Sequence, residues 1–188
     1  MRILDVGCGP NSVAAQMFEK VEDKEVVRLD IDPDNKPDVV HDISSPLPVE
    51  LVGAFDVVIA YHVMEHLDRA VVIQSFKNIT AAVRNGGELW VSCPSLEWAC
   101  DEIKAHREGT YVQAVIFGNQ HSPWDYHRCG FTMQALRQMV AISGMIVKKA
   151  TQSTYFISSE EKQYRCIQNV VVGAKYENPG EAIGLEPV

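Results

Sequence analysis

Short, continuously apolar runs alternate with stretches of helical periodicity, and this alternation limits the folds open to the chain more than any other feature. Arg2 to Val6, Glu25 to Asp30, Asp38 to His41, Phe55 to Ala60 and Glu88 to Ser92 read as five strands. Strands that are apolar on both faces belong in a parallel sheet covered by helices on both sides. Between the first two, a helix from about Ser12 to Lys20 would place Val13, Met17 and Val21 on one face. After the fourth, Val72, Phe76, Ile79 and Val83 recur at helical spacing until Asn85-Gly86-Gly87 ends the run. Thr132 is suited to cap a helix that buries Leu136, Met139 and Val140 and stops at Gly144. Met145 to Lys149 and Ile167 to Lys175 read as two closing strands. Ala150 to Cys166, which joins them, has no helical period, so the two are expected to pair antiparallel. Ile31 to Pro37 is too short for a helical crossover, which takes about a dozen residues or more. The expected fold class is α/β: a doubly wound, mostly parallel sheet of seven strands with an antiparallel closing strand, and helices on both faces, shortened between strands two and four.

At 188 residues, 46% apolar and 22% charged, the chain has the composition of one packed domain rather than a disordered segment. Residues 1–175 are expected to form that domain, with 94–131 as an insertion on the substrate side and 176–188 as a loosely held tail. The net charge of −8 argues against broad binding to nucleic acid or to an anionic membrane, both of which need a basic footprint. Apolar runs such as Val57 to Ala60 fall far short of the ~20 residues that span a bilayer. Asp5 interrupts the first of them, so no leader is expected. Five cysteines without a C-x-x-C pair fit neither a disulfide scaffold nor a zinc ribbon and point to a reducing, cytoplasmic setting.

The most informative segment is Ile3-Leu4-Asp5-Val6-Gly7-Cys8-Gly9-Pro10, a strand that ends in glycines just before a helix. In an open α/β sheet ligands bind outside the carboxyl ends of the strands, where this turn lies. A dinucleotide fingerprint would want a third glycine at position 12, which is Ser12, and a phosphate-binding Gly-Lys-Ser/Thr is missing. The second strand ends in Leu29-Asp30-Ile31-Asp32, about twenty residues on, where a carboxylate can accept both hydroxyls of a ribose. The third ends in His41-Asp42-Ile43 and the fourth in Ala60-Tyr61-His62-Val63-Met64-Glu65-His66-Leu67, so four strand ends carry glycine or polar residues at one rim.

Taken together, Leu4-Asp5-Val6-Gly7-Cys8-Gly9-Pro10, Leu29-Asp30-Ile31, His41-Asp42-Ile43, Phe55-Asp56-Val57-Val58 through His62-Val63-Met64-Glu65-His66-Leu67, and Gly86-Gly87-Glu88-Leu89 resemble the class I S-adenosylmethionine-dependent methyltransferases, with their Rossmann-like fold. The resemblance spans about residues 2 to 93, and the closing strands extend it to about 175. It implies S-adenosylmethionine as cofactor. Gly7, Cys8 and Gly9 would let the backbone approach its methionine part, and Asp5 would fix that loop or meet the ammonium group. Asp30 would bind the ribose diol, Ile31 would pack on the adenine, and Asp42, with Ile43 beside it, would meet the adenine amine. Tyr61 and His62 would flank the sulfonium. Asn11 stands where the family often has a third glycine, and asparagine tolerates the left-handed backbone. The leading helices that lid the substrate in many relatives are not in this sequence. The segment after the fifth strand, or a second subunit in a homodimer, is therefore expected to cover the substrate.

His62-Val63-Met64-Glu65-His66 formally matches an H-x-x-E-H metal pattern, but His62 directly follows a strand, so no metal site is expected. Cys93-Pro94 reads as a strand exit with a small buried hydrophobe rather than a nucleophile. Phe117 to Phe131 is the densest polar and aromatic segment. Within it His121 or His127, like His62, could serve as a general base, since an unperturbed imidazole titrates near pH 6.5. The alternative is that these histidines only pack and hydrogen-bond the loop. Trp124, Tyr126 and Arg128 are candidate acceptor contacts. The expected activity is methyl transfer to an oxygen or nitrogen of a small-molecule acceptor. The alternatives are a non-catalytic cofactor-binding regulatory subunit and a NAD-dependent oxidoreductase.

Overall fold

In the computed structural model, which describes residues 1–107, 109–158 and 163–176, the first apolar run becomes β1 (Arg2–Val6), an inner strand of a seven-stranded sheet. It pairs in parallel with β2 (Glu25–Asp30) on one side and β4 (Phe55–Tyr61) on the other. The two-residue β3 (Val39–Val40) adds to β2, and β5 (Val83–Pro94) to β4, both in parallel. The sheet closes with β7 (Gln163–Ala174), antiparallel to β5, and β6 (Ile146–Ser158) on its outer edge, antiparallel to β7, giving the order β3-β2-β1-β4-β5-β7-β6.

Both faces of the sheet are covered. On one, α2 (Val72–Ala82) and α5 (Met133–Ile142) bury Phe76, Ile79, Leu136 and Val140 against Leu4, Val58 and Leu89. On the other, α1 (Val13–Met17) buries Ala14 with Ile3, Val57 and Ile59. Between β2 and β3 the chain makes only a 3₁₀ turn, Pro33–Asn35, as the short segment predicts. A third cluster joins α3 (Leu96–Lys104) and α4 (Thr110–Phe117) to the hairpin, with Ala99, Val112 and Val115 packed on Cys166. No helix among the described residues is long and apolar enough to cross a membrane.

Several elements differ from expectation. The first helix has five residues rather than about nine; Met17 and Val21 are exposed, and the chain instead turns Phe18 onto Trp90. Asn11 does not enter the left-handed region. Ala150 to Cys166 is largely strand: β6 runs to Ser158 with Ser153, Tyr155 and Ile157 turned inward and their neighbours exposed. A half-buried edge strand rich in Ser and Thr carries that alternation with few apolar residues to announce it. β5 starts at Val83, paired with Phe55, before the ladder shifts register and resumes at Glu88 opposite Val57. Of the expected C-terminal tail, only Tyr176 lies within the described residues.

Candidate functional site

The glycine turn is held from three directions. Gly7 and Gly9 take positive φ of 63° and 55°, the left-handed region that glycine enters without strain. The amides of Gly7 and Cys8 donate to the Leu29 carbonyl at 2.7 and 3.2 Å, fastening the turn to the end of β2. The Gly9 amide donates to Asp30 Oδ2 at 2.8 Å, while Asp30 Oδ1 accepts from the Asp32 amide at 2.9 Å. A Cβ at Gly7 would stand 2.3 Å from a Val63 methyl, so the close approach of the β1 and β4 ends itself requires glycine there. Asp5 lies beneath the turn, 2% exposed. Its Oδ2 accepts from the Ser12 hydroxyl and the Ala14 amide, and Ser12 in turn caps α1 by accepting from the Ala15 amide. Burial pushes the Asp5 carboxyl above its usual range, against these hydrogen bonds.

Above the turn, at the carboxyl ends of β1 to β4, is a cavity of about 410 Å³. Val6, Gly7 and Leu29 line its base; Asp30, Ile31 and Asn35 line one side, and His41, Asp42, Ile43 and Ser44 the next. Asp42 is exposed and closes its own turn, with Oδ1 accepting from the Ser44 amide at 2.8 Å. This side is pinned to α2 by Asn78, whose Nδ2 donates to the carbonyls of Ile43 and Ser45, both at 2.9 Å. The far side is built by His62, Val63, His66 and Leu67 with Trp124 and Arg128. Arg128 reaches Asp68 Oδ1 at 3.3 Å.

The structure thus brings together Gly7, Asp30, Ile31, Asp42, Ile43, His62, Trp124 and Arg128 of the sequence-predicted residues around one cavity. Asp5, Cys8, Gly9, Tyr61, His121, Tyr126 and His127 do not line it. Asp5 lies beneath the turn, and Cys8, within it, is buried, which pushes its thiol up to about 11. Tyr61 packs on the opposite face of the sheet beside Ile3, Ala14 and Ile59. His121 is exposed on the loop after α4, where its amide meets Asp125.

His62 sits at φ 56°, and its ring nitrogens face protein groups. Nε2 lies 2.6 Å from Gln168 Oε1, an oxygen that can only accept, so the neutral imidazole carries its proton there. Nδ1 is 3.5 Å from Glu65 Oε1, and the ring meets Tyr155 edge-on at 4.7 Å. Burial holds the His62 pKa below its ordinary value. Gln168 is fixed in turn, accepting from Ser92 Oγ and donating to Ser153 Oγ.

Beneath the Trp124 side, Glu65 is 1% exposed, and among the described residues no nitrogen or oxygen donor bonds either of its carboxyl oxygens. Burial pushes this acid up to about 8. His66 Nδ1 lies 3.1 Å from the Tyr126 carbonyl and His127 Nδ1 2.9 Å from that of Val115, with the two rings edge to face at 4.9 Å. Desolvation lowers both pKa values, that of His127 to about 4. Asn78, Gln168 and the grouping of Glu65 with His127 were not singled out by sequence reading; the only local signal was an acid next to a histidine after the fourth strand.

A family model described as a methyltransferase domain matches residues 1–145. A comparison with curated proteins gives no match. Among solved structures, a S-adenosylmethionine-dependent methyltransferase from Methanosarcina mazei superposes with a TM-score of 0.65 at 13% identity, over 94% of this chain and 93% of that one. A methyltransferase-like protein from Bacillus halodurans gives 0.62 at 13% identity, over 93% and 92%. The Burkholderia thailandensis 1,6-didemethyltoxoflavin-N1-methyltransferase, with 1,6-didemethyltoxoflavin and S-adenosylhomocysteine bound, gives 0.57 at 13% identity, over 94% and 71%. At these identities the likeness is one of fold.

Proposed function

The chain belongs to the methyltransferase-domain family, in the class I S-adenosylmethionine-dependent superfamily, and we propose that it transfers the methyl group to an oxygen or nitrogen of a small-molecule acceptor. The observation that carries this reading is the cavity at the carboxyl ends of four parallel strands, floored by the Gly7 turn and flanked by Asp30 and Asp42. The residues fit the cofactor. Each Asp30 oxygen already accepts one amide hydrogen, Oδ2 also meeting the weakly donating Cys8 thiol at 3.9 Å; a carboxylate oxygen can accept two, so a ribose diol can be held, displacing at most that thiol, without releasing the turn. Asp42 spends Oδ1 on Ser44 and keeps Oδ2 for an exocyclic amine, while Ile31 and Ile43 supply apolar contact for a base.

When bound, S-adenosylmethionine supplies an electrophilic methyl on sulfur, which passes to the acceptor in one in-line displacement. The protein's work is then mainly alignment, worth up to about 7–11 kcal/mol in favourable cases. Trp124 and Arg128, on the open side of the cavity, are suited to hold a flat or anionic acceptor. An amine acceptor needs only to arrive unprotonated. The net charge of −8 favours a small metabolite over nucleic acid or membrane, and five free cysteines favour a cytoplasmic setting. A homodimer would cover the substrate side of the cavity. The 1,6-didemethyltoxoflavin bound to the Burkholderia N1-methyltransferase supports a small nitrogen acceptor by analogy.

The second reading is a cofactor-binding subunit without catalysis. It is favoured by His62, whose ring nitrogens face Gln168 and Glu65 and not an acceptor. Calorimetry with S-adenosylmethionine tests the binding that both readings share, and turnover on an acceptor panel separates them. Asp30→Ala should weaken binding at least tenfold, about 1.4 kcal/mol. Unchanged affinity would remove Asp30 from the site, and binding of NADH in place of S-adenosylmethionine would overturn both readings.

A further inference from the structure

One buried cluster carries chemistry that methyl transfer by alignment leaves unused. Among the described residues no nitrogen or oxygen donor bonds the enclosed Glu65 carboxyl, against which only the weakly donating Cys93 thiol lies, and a buried carboxyl group so poorly met must either stay protonated or meet a cation. The donor atoms of Glu65, His66 and His127 all lie within 4.8 Å of one another. His127 is 61 positions beyond His66, and backbone clamps hold the two segments together. The amides of Arg128 and Cys129 both donate to the Glu65 carbonyl, at 2.8 and 3.2 Å. Each histidine also places Nδ1 on a backbone carbonyl, His66 on Tyr126 and His127 on Val115, and the His62 carbonyl lies against the His66 ring as well. A carbonyl can only accept, so a proton on Nδ1 satisfies each of these contacts and leaves Nε2 as the nitrogen able to bind a metal. Ligand histidines are commonly oriented in this way, one nitrogen fixed by a carbonyl and the other left for the metal.

We infer that Glu65, His66 and His127 bind one divalent transition-metal ion in the wall of the cavity. Two imidazoles and one carboxylate are the donor set of zinc or non-haem iron, whereas magnesium and calcium prefer oxygen ligands throughout. Three protein ligands leave a further position for water or for a molecule in the cavity, which His66 lines. The H-x-x-E-H match in the sequence points to the wrong pair. His62 is committed to Gln168, and His127 from the distant loop stands in its place, a pairing that sequence spacing does not announce. The competing account is a protonated Glu65 donating to His62 Nδ1. At 3.5 Å that contact is too long for such a bond, and the Cys93 thiol is too weak a donor to satisfy both carboxyl oxygens in its place.

The test uses the untagged full chain, freed of metal by a chelator and titrated with Co²⁺. The expected result is a visible ligand-field band that saturates at one equivalent and is displaced by Zn²⁺. Glu65→Gln and His127→Gln should each weaken Co²⁺ binding by at least about 100-fold, beyond what losing an outer-shell partner costs. His121→Ala, on the same loop but outside the cluster, should bind like the parent. Circular dichroism of each metal-free variant checks that it folds. Should one not fold, Cu²⁺-loaded parent protein examined by electron spin-echo modulation counts the coordinated imidazoles, and the proposal requires two. No saturable band in the parent, full affinity in both folded variants, or fewer than two imidazoles overturns it. None of these readouts needs a methyl donor, so the metal proposal and the methyltransferase reading fail separately.

Discussion

Gly7 and Gly9 share a backbone conformation but not an environment, and the contrast separates backbone strain from crowding. An alanine at either position must adopt a positive φ, at about 1–2 kcal/mol. At Gly9 the added carbon meets nothing within 4 Å, so Gly9→Ala should cost no more than that. At Gly7 it would meet the Val63 side chain at 2.3 Å, adding an overpacking cost. Gly7→Ala is therefore expected to destabilise by about 2–4 kcal/mol in urea unfolding and to weaken cofactor binding well beyond Gly9→Ala. Equal effects would mean that Val63 yields freely and that β4 does not press on the turn. At this scale the sequence exposed whatever lies within a few residues of a strand end: Gly7, Asp30, Ile31, Asp42 and Ile43. It hid whatever depends on chain segments far apart. His62 is a natural neighbour for a ligand until Gln168, 106 positions later, captures its Nε2.

Between elements, the link that matters most for the site is the one from α2 to the chain after β3. β3 is only two residues long, so its own ladder cannot position the Asp42 turn. Asn78 compensates by holding the carbonyls of Ile43 and Ser45, and is itself oriented by Gln74, whose Nε2 donates to Asn78 Oδ1 at 2.8 Å. Asn78→Ala would leave these carbonyls without their side-chain donor, one of them on a buried residue. The expected loss is about 1–3 kcal/mol in urea unfolding, with a several-fold drop in cofactor affinity as the turn loosens. A stability loss with unchanged affinity would show that the turn is held by β3 alone. Element type was legible wherever apolar residues kept a period, as in α2 and the five parallel strands. The longest misreading, Ala150 to Cys166, arose where polar β-formers on an edge strand carry the alternation and apolar counting misses it.

Across the whole molecule, the sheet separates function from anchoring along its own strand direction. The carboxyl ends of the strands hold the cavity, and the amino ends are clamped together. At the latter, Asp56 accepts from the Arg2 amide and from Arg84 Nε, both at 2.6 Å, joining the starts of β1 and β4 to the chain entering the β5 ladder. The parallel sheet behind this division was legible from short apolar runs alternating with helices; the strand order and the clamp were not, since the partners of Asp56 lie 54 and 28 positions away. The Arg2 amide first, and then the Arg84 guanidinium, hold the Asp56 carboxyl below its usual range. A carboxyl with a depressed folded-state pKa stabilises the protein fully above its unfolded value, about 3.9, and loses that contribution as pH falls through the folded value. Asp56→Asn should therefore be less stable than the parent at pH 7, by about 1 kcal/mol for a partly exposed pair. The gap should start to close below about pH 4 and vanish only as pH falls past the depressed folded-state value, where the parent's carboxyl also takes up its proton. Urea midpoints measured from pH 7 to pH 3 check this, and a gap of constant size throughout would mean that packing, not charge, makes the clamp. Cofactor affinity at pH 7 should not change, because the substitution lies at the end of the sheet remote from the cavity. A fall in affinity would show that strain at the amino ends of the strands reaches the Gly7 turn through β1.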